Sequence, residues 1–416
     1  MPESVPGRTL PQRRDAHPSR TLRVAQIANY VGPTSGGLRV VVEQLGLATL
    51  RGGGSRLLVL PAEYDSSVGV GRDRRITIAG PVLPRSRGRY RVLLRRRAVV
   101  EALEEFGPDV VEVHDQTTLA WVGGWARRNG VHSVLFAHER LDLALGEASG
   151  LPTGWLDGPA RRWSAHLARS FDVIVCPSDF AALPFPASAS ARTAAARVVP
   201  LGVDLQTFSP KAEAEGGRPG RPSTSGGDAV WDFGSSGARL IFAGRLSPEK
   251  APGTALQVLR LVRATGRDAR LLVVGDGPMR SSLQRHARRE RLPVRFLGHV
   301  NGRTALASLL SSADVALAPG PRETFGLGVL EAMACGTPVV VSTGGALQEM
   351  LLPGAGAAAS TPEAMAHGVG ALLRDPQTHR AARCAARAAA ERFPWSATTA
   401  ALDTIAYAPA RPGVPA

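Results

Sequence analysis

Lysine is almost missing from this chain. Of 50 basic side chains in 416 residues only Lys211 and Lys250 are lysines, the rest being arginine, and against 35 acids the formal charge is +15. Such a bias follows genome composition as readily as chemistry, yet it makes a lysine at a chemically useful place informative. Cysteine is scarce as well. Cys176, Cys335 and Cys384 are odd in number, widely spaced and form no Cys-x-x-Cys pair, which argues against a disulfide framework or a cysteine zinc site and fits a reducing compartment. No run of eighteen apolar residues occurs, and residues 1–14 lack the apolar core of a signal peptide. The chain is therefore expected in the cytoplasm, neither secreted nor membrane-spanning. No metal-ligand spacing of His, Cys, Asp and Glu stands out either.

The basic charge is uneven. Arg72, Arg74, Arg75, Arg85, Arg87, Arg89, Arg91, Arg95, Arg96 and Arg97 face a single acid, Asp73, within 26 residues. A solvated loop and helix face, an anionic lipid surface and nucleic acid compete as explanations. Nucleic acid is not expected as a partner, because no aromatic stacking motif or binding module accompanies the arginines.

The length suffices for two α/β domains, each with its own core. Residues 1–20 are polar and proline-rich, and disorder is expected there. A first domain, 21–208, opens with a short strand at Arg23 to Asn29. The glycine-rich stretch Gly32-Pro-Thr-Ser-Gly36-Gly37 follows, then helical apolar spacing from Leu38 to Leu50 and a strand from Ser55 to Leu60. This is a βαβ plan. Further strands are predicted at Val110 to Val113, Ser133 to Ala137, Val173 to Cys176 and Arg197 to Pro200. Residues 209–238 read as a flexible linker rich in Glu, Gly, Pro, Ser and Arg. A second domain, 239–392, carries strands at Leu240 to Ala243, Arg270 to Val274, Val294 to Leu297, Asp314 to Ala318 and Pro338 to Ser342. A terminal helical stretch, 393–408, and a tail, 409–416, complete the chain. The fold class is α/β: two doubly wound Rossmann-like sheets facing across a cleft that holds the ligand.

Two stretches of the second domain carry chemistry. Gly244-Arg245-Leu246-Ser247-Pro248-Glu249-Lys250 follows a strand end, where open α/β sheets bind ligands. Arg245 offers a forked donor and Lys250 a mobile point charge, a pair suited to a diphosphate; two solvated cations on a surface loop is the plainer reading. The second stretch runs from Glu323-Thr-Phe-Gly-Leu-Gly-Val-Leu to Glu331. Glu323 precedes a helix, Glu331 lies about two turns into it, and the amides of Phe325, Gly326 and Leu327 form a helix start suited to phosphate. Retaining glycosidases hold their carboxyls about 5 Å apart. Glu323 and Glu331 suit gripping two ends of an elongated ligand better, unless they are simply two solvated glutamates on an ordinary helix.

Glu-x7-Glu after the Ser-Ala-Asp strand, with Gly-Arg-Leu-Ser-Pro-Glu-Lys upstream, resembles the nucleotide-sugar half of the retaining GT-B glycosyltransferases of family 4. That resemblance implies that Glu323 contacts the donor sugar and Glu331 the ribose, with Arg245 and Lys250 neutralising the leaving diphosphate. It also implies metal-independent transfer with no cofactor beyond the donor. Gly36 and Gly37 match the family loop that approaches the diphosphate from the first domain, although a Gly-Gly before a helix also serves simply as a tight turn. His138, in Phe136-Ala-His-Glu-Arg, resembles the strand-end histidine that faces the reacting sugar; a lone histidine in a strand end is otherwise a structural one. His299 lies where the family's chain passes the base, and a surface histidine reads equally well there.

In the first domain Ala28-Asn-Tyr-Val-Gly-Pro-Thr-Ser-Gly-Gly-Leu-Arg39, Glu112-Val-His-Asp, His138-Glu-Arg-Leu-Asp142 and Pro200-Leu-Gly-Val-Asp-Leu-Gln-Thr-Phe208 look like actinobacterial GDP-mannose-dependent α-mannosyltransferases acting on phosphatidylinositol mannosides. The implied partners are GDP-mannose and an anionic inositol phospholipid, with Arg72 to Arg97 meeting the inner face of the membrane. The same motifs also suit a UDP-sugar-dependent transferase acting on a small or polysaccharide acceptor, or a non-catalytic nucleotide-sugar binder.

Overall fold

The computed structural model describes residues 21–32, 36–83, 90–149, 153–186, 193–210, 229–233 and 237–410. The expected disorder at 1–20, most of the expected linker, the tail from 411, and Arg85, Arg87 and Arg89 lie outside these residues.

Strands β1 (Arg23–Ile27), β2 (Ser55–Ala62), β3 (Ser66–Val70), β4 (Asp73–Ala79), β5 (Val110–Val113), β6 (His132–Phe136), β7 (Val173–Cys176) and β8 (Ala196–Val198) form the first sheet. Its order is β3-β4-β2-β1-β5-β6-β7-β8, parallel except for the β3/β4 hairpin. Helices α1 (Gly37–Arg51), α2 (Arg96–Phe106), α3 (Trp121–Arg128), α4 (Leu141–Ser149), α5 (Thr153–Ser170) and α6 (Asp179–Ala182) connect the strands. The central strands are Val-rich and buried on both faces, as parallel sheets require, so their apolar runs were readable as strands. The sequence reading did not anticipate the β3/β4 hairpin. Every residue of β3 is exposed, and Ser-Ser-Val-Gly-Val carries neither an apolar run nor an inward face to signal a strand.

The hairpin also corrects the picture of a free cationic patch. Of the seven described arginines of the cluster, five are paired with acids that the local count did not include. Arg74 meets Glu105, Arg75 meets Glu43, Arg91 meets Glu63, Arg95 meets Asp65 and Arg97 meets Glu101, at 2.7 to 3.6 Å. Each exposed pair contributes only about 0–1 kcal/mol to stability. Together they nonetheless cancel much of the local field, because α1, α2 and the turn after β2 bring their carboxylates to the same surface.

The second sheet contains β9 (Ala238–Ala243), β10 (Ala269–Val274), β11 (Val294–Gly298), β12 (Val315–Ala318), β13 (Val339–Ser342) and β14 (Gly356–Ala359), all parallel in the order β11-β10-β9-β12-β13-β14. Its helices are α7 (Pro252–Ala264), α8 (Arg280–Arg289), α9 (Arg303–Ser311), α10 (Leu327–Ala334), α11 (Pro362–Leu372) and α12 (Pro376–Glu391). This is the doubly wound order whose direction reverses between β9 and β12, and the loops after those two strands therefore open onto a ligand crevice. The first sheet reverses likewise between β1 and β5. Trp231, which the sequence reading assigns to the linker, is 1 % exposed and donates its indole hydrogen to Ser312 Oγ at 2.9 Å. One buried indole outweighs the polar composition around it and fastens residues 229–231 to the second domain.

Helix α13 (Trp395–Leu402) and the turn at Asp403–Tyr407 return to the first domain. Val203 N donates to Phe393 O at 2.8 Å, Thr398 Oγ1 donates to Pro200 O at 2.8 Å, and Tyr407 OH donates to Glu112 Oε1 at 2.5 Å. The expected terminal helical stretch is α-helical over Trp395–Leu402 and continues as a π-helical turn over Asp403–Tyr407. Trp395, Leu402, Ala406 and Tyr407 share one buried cluster with residues of both domains.

Candidate active site

Within the second domain the loop after β9 carries Gly244 to Lys250 and the loop after β12 carries Glu323. Lys250 Nζ is bonded directly to Glu323 Oε1 across 73 positions, with side chains 34 % and 17 % exposed. Arg245 is exposed at the mouth of the cleft; it donates to Tyr90 OH, and its guanidinium lies 5.3 Å from that ring. The two cations chosen from sequence thus sit at one strand-end crevice, one holding a carboxylate and the other leaning on the opposite domain.

Gly326 precedes α10 with φ of 94°, and a Cβ there would lie 2.2 Å from Leu347 Cδ2, so only glycine fits. This turn sets the amides of Phe325, Gly326 and Leu327 at the positive end of α10. The Phe325 side chain faces inward, 5 % exposed, edge-on to Phe393. Because α10 begins only at Leu327, Glu331 sits about one turn into the helix rather than the expected two. Glu331 is 13 % exposed and 3.7 Å from Arg303. Burial raises its carboxyl to about 7, against the pull of Arg303 and with a push from Asp204.

The first domain closes on this crevice. A Cβ on Gly37 would lie 3.2 Å from Leu327 Cδ1, while Gly36 faces open space. Thr324 Oγ1 donates to the carbonyl of His138 at 2.5 Å, and Ser178 Oγ donates to Thr324 O. Glu349 accepts from the amides of Asp179 and Phe180 at 3.1 and 3.0 Å. His138, half-buried, places Nε2 2.9 Å from His114 Nδ1, with ring planes 11° apart. Burial, then the charge of His114, drives the His138 imidazole well below its ordinary value, so it is neutral at neutral pH. Desolvation in the cleft raises the neighbouring Glu139 carboxyl, while Arg245 and Lys250 pull it back down.

These contacts bring Gly37 to Leu327, His138 to Thr324, Lys250 to Glu323 and Arg245 to Tyr90 where the two domains meet, with Gly36 next to Gly37 and with Phe325, Gly326 and Glu331 on the same loop and helix as Glu323 and Leu327. His299 is exposed just after the edge strand β11, and none of the contacts described above includes it. Roles for His114, Glu139, Tyr90, Thr324 and Arg303 were not read from sequence. Only Glu112 and His114 left a signal, polar residues in and just after an otherwise all-valine buried strand.

Two family models match, Glycosyltransferase Family 4 over residues 35–207 and Glycosyl transferases group 1 over residues 229–389. The chain is 39 % identical over 386 residues to the GDP-mannose-dependent alpha-(1-6)-phosphatidylinositol dimannoside mannosyltransferase of Mycobacterium tuberculosis, covering 92 % of this chain and 95 % of that one. It is 34 % identical over 267 residues to a GDP-mannose-dependent alpha-mannosyltransferase of Mycolicibacterium smegmatis, covering 62 % of each. Among solved structures, the sucrose-phosphate synthase of Thermosynechococcus elongatus superposes with a TM-score of 0.72 at 21 % identity, covering 92 % of this chain and 98 % of that one. WaaG, a glycosyltransferase involved in lipopolysaccharide biosynthesis, superposes with a TM-score of 0.65 at 17 % identity, covering 92 % and 99 %. These two establish the fold, GT-B.

Proposed function

The chain belongs to glycosyltransferase family 4 and is a sugar-transferring enzyme; we propose that it moves mannose from GDP-mannose to a phosphatidylinositol-mannoside lipid with retention at the anomeric carbon. The observation that carries this reading is the mycobacterial dimannoside mannosyltransferase, similar along nearly the whole length of both chains.

In this reading the diphosphate lies between Arg245, Lys250 and the start of α10. Charge grows on the leaving oxygens as the glycosidic bond breaks, and preorganised cations and amides stabilise that growth more than they stabilise the bound donor. Two cations at one crevice supply this without a metal, and metal-independent transfer is part of the proposal. Glu323, held by Lys250, meets the sugar; Glu331, one turn down α10, meets the ribose. On donor arrival Lys250 exchanges its carboxylate partner for phosphate, releasing Glu323 towards the mannose hydroxyls. The acceptor enters from the first domain past His138.

No helix among the described residues is long and apolar enough to cross a membrane. A lipid acceptor then requires peripheral contact at the inner face of the membrane. The paired arginines of the Arg72 to Arg97 stretch leave that contact less net charge than their number implies, so the lipid tail and other surfaces contribute.

Donor choice is tested by incubating the protein with equimolar GDP-mannose, UDP-glucose and UDP-N-acetylglucosamine, with and without a chelator. Selective loss of GDP-mannose, unaffected by chelation, is expected; consumption of a UDP-sugar sinks the donor assignment, and chelator-sensitive turnover sinks metal independence.

A further inference from the structure

A cavity of about 590 Å³ lies beside the edge strand β11, where the ends of α7 and α8 meet Phe233. Its size falls within the range of small-molecule sites, roughly 300–1,000 Å³. It opens at the amino ends of β10 and β11, whereas the Gly244 to Lys250 and Glu323 loops follow the carboxyl ends of β9 and β12. The cavity is therefore a different place from the crevice of the proposed transfer. Arg263, Arg288, Arg291 and Arg295 line it together with Phe233 and Phe296, and among the described residues none that lines it is acidic.

The four cations are not equivalent. Arg295 is fixed: its Nη1 and Nη2 donate to the carbonyls of Val230 and Asp232 at 2.9 and 3.0 Å, and its guanidinium lies 4.7 Å from the Phe233 ring. Arg263 is held from one side, with Nη1 donating to Asp268 Oδ1 at 2.9 Å and to Ala269 O at 2.8 Å. Arg288 and Arg291 are exposed, and among the described residues neither side chain meets a carboxylate. Glu290, which stands between them, is 3.5 Å from Arg289 instead. Arg291 is also marked by its backbone, which has a left-handed φ of 50°. Its amide donates to Arg288 O at 3.1 Å, and Leu292 N donates to Ala287 O at 2.9 Å, a helix ending at which glycine is the usual residue. A bulky side chain kept in a conformation that disfavours it points to a use for that side chain.

The carboxyl end of α8 sets roughly half a negative charge near the cavity, and four guanidiniums exceed it. Two forked donors without a protein carboxylate match a phosphate group, whose several oxygens can serve both at once. A phosphate fills only part of the volume. The remainder is bounded by Phe233, Phe296, Leu292 and Pro293, an apolar wall that fits a ring and reads its face rather than its edge. We propose that this cavity is a binding site for a phosphate ester carrying a ring, with the phosphate between Arg288 and Arg291 and the ring against Phe233 and Phe296. A free nucleotide and an inositol phospholipid headgroup share this chemistry. Arg295 and Phe233 belong both to the cavity wall and to the 229–233 anchor, so an occupant bears on the segment that joins the two domains.

The test uses the full chain with adenosine monophosphate as the free probe. Hydrogen exchange read by mass spectrometry is expected to slow in 229–233 and 288–296 when the probe is added. Titration calorimetry is expected to show a Kd raised by about tenfold or more in Arg288→Gln and in Arg291→Gly, the scale of one lost charge-assisted contact. Glycine adopts the left-handed turn freely, so Arg291→Gly is expected to keep a Tm within a few degrees of the parent, and lost binding there is not lost folding. In a second arm the protein is sedimented with phosphatidylcholine vesicles with and without phosphatidylinositol. Retention that requires phosphatidylinositol and falls in both variants, without binding of the free probe, assigns the site to the lipid headgroup. Slowed exchange confined to 244–250 and 323–331 places the free probe in the catalytic crevice and removes the nucleotide source. If vesicle retention is then also unchanged in the two variants, the proposal is overturned, as it is if neither probe binds.

Discussion

Arg303 stands 3.7 Å from Glu331 and opposes the burial that lifts this carboxyl to about 7. Donor binding through a ribose hydroxyl needs the ionised form as acceptor. The kcat/KM for donor is therefore expected to fall as pH drops through about 7, and Arg303→Ala is expected to move that limb to higher pH. A limb unchanged in Arg303→Ala would remove Arg303 from the account.

The same shift has a consequence for stability. A carboxyl whose folded value lies above its unfolded value binds its proton more tightly when folded, so its contribution declines as pH rises from about 4.5 to 7. Glu331→Gln, which cannot ionise, is expected to gain Tm relative to the parent at about pH 8 and to gain little at about pH 5. Thermal unfolding at the two pH values checks the sign.

Lys250 is paired with Glu323. Lys250→Ala and Arg245→Ala are expected to reduce kcat by about 100-fold or more, the scale of a lost group that stabilises developing charge. Glu323→Ala is expected to act mainly on kcat and Glu331→Ala mainly on donor affinity. Steady-state kinetics with titration calorimetry of GDP separates the two; near-normal turnover in all four variants would dismantle the site.

Closure of the two domains is stitched by Thr324 Oγ1 on His138 O. Thr324→Val keeps the shape and loses the donor, and is expected to raise donor KM several-fold with Tm within a few degrees of the parent. Gly37→Val, driven into Leu327, is expected to impair closure more strongly. Small-angle scattering with and without GDP reports the closure directly: identical compaction in the parent and in Gly37→Val would contradict this role.

Ending the chain at Phe393 removes Trp395, Leu402, Ala406 and Tyr407 from the buried cluster they share with both domains. Each large buried apolar side chain contributes roughly 1.5–3 kcal/mol. The truncated protein is expected to lose more than about 10 °C in Tm, and a loss of only a few degrees would mean that the returning segment is dispensable for stability.

Much of this was legible in the chain because parallel sheets leave valine-rich runs and strand-end loops leave Gly, Arg and Lys. Gly244 to Lys250 and Glu323 to Glu331 announced themselves in this way, and the structure joins them through Lys250 and Glu323. Features built from distant positions were not legible. Five arginines read as unopposed until Glu43, Glu63, Asp65, Glu101 and Glu105 arrived from other elements, and Trp231 read as linker until Ser312 stood beside its indole. Glu112 was visible only as one acid in a valine strand. Its partners Gln26 and Tyr407 lie 86 and 295 positions away, and no local pattern connects them.

The central claim is a mannosyl transfer to an inositol lipid. It is tested most directly by supplying the purified protein with GDP-mannose and a phosphatidylinositol-mannoside-containing lipid extract, then resolving the lipids by mass spectrometry and the new linkage by NMR. Inositol lipids gaining one hexose in the α configuration are the predicted result. GDP-mannose consumed with no lipid product, or inositol lipids left unchanged while another acceptor is glycosylated, would contradict it.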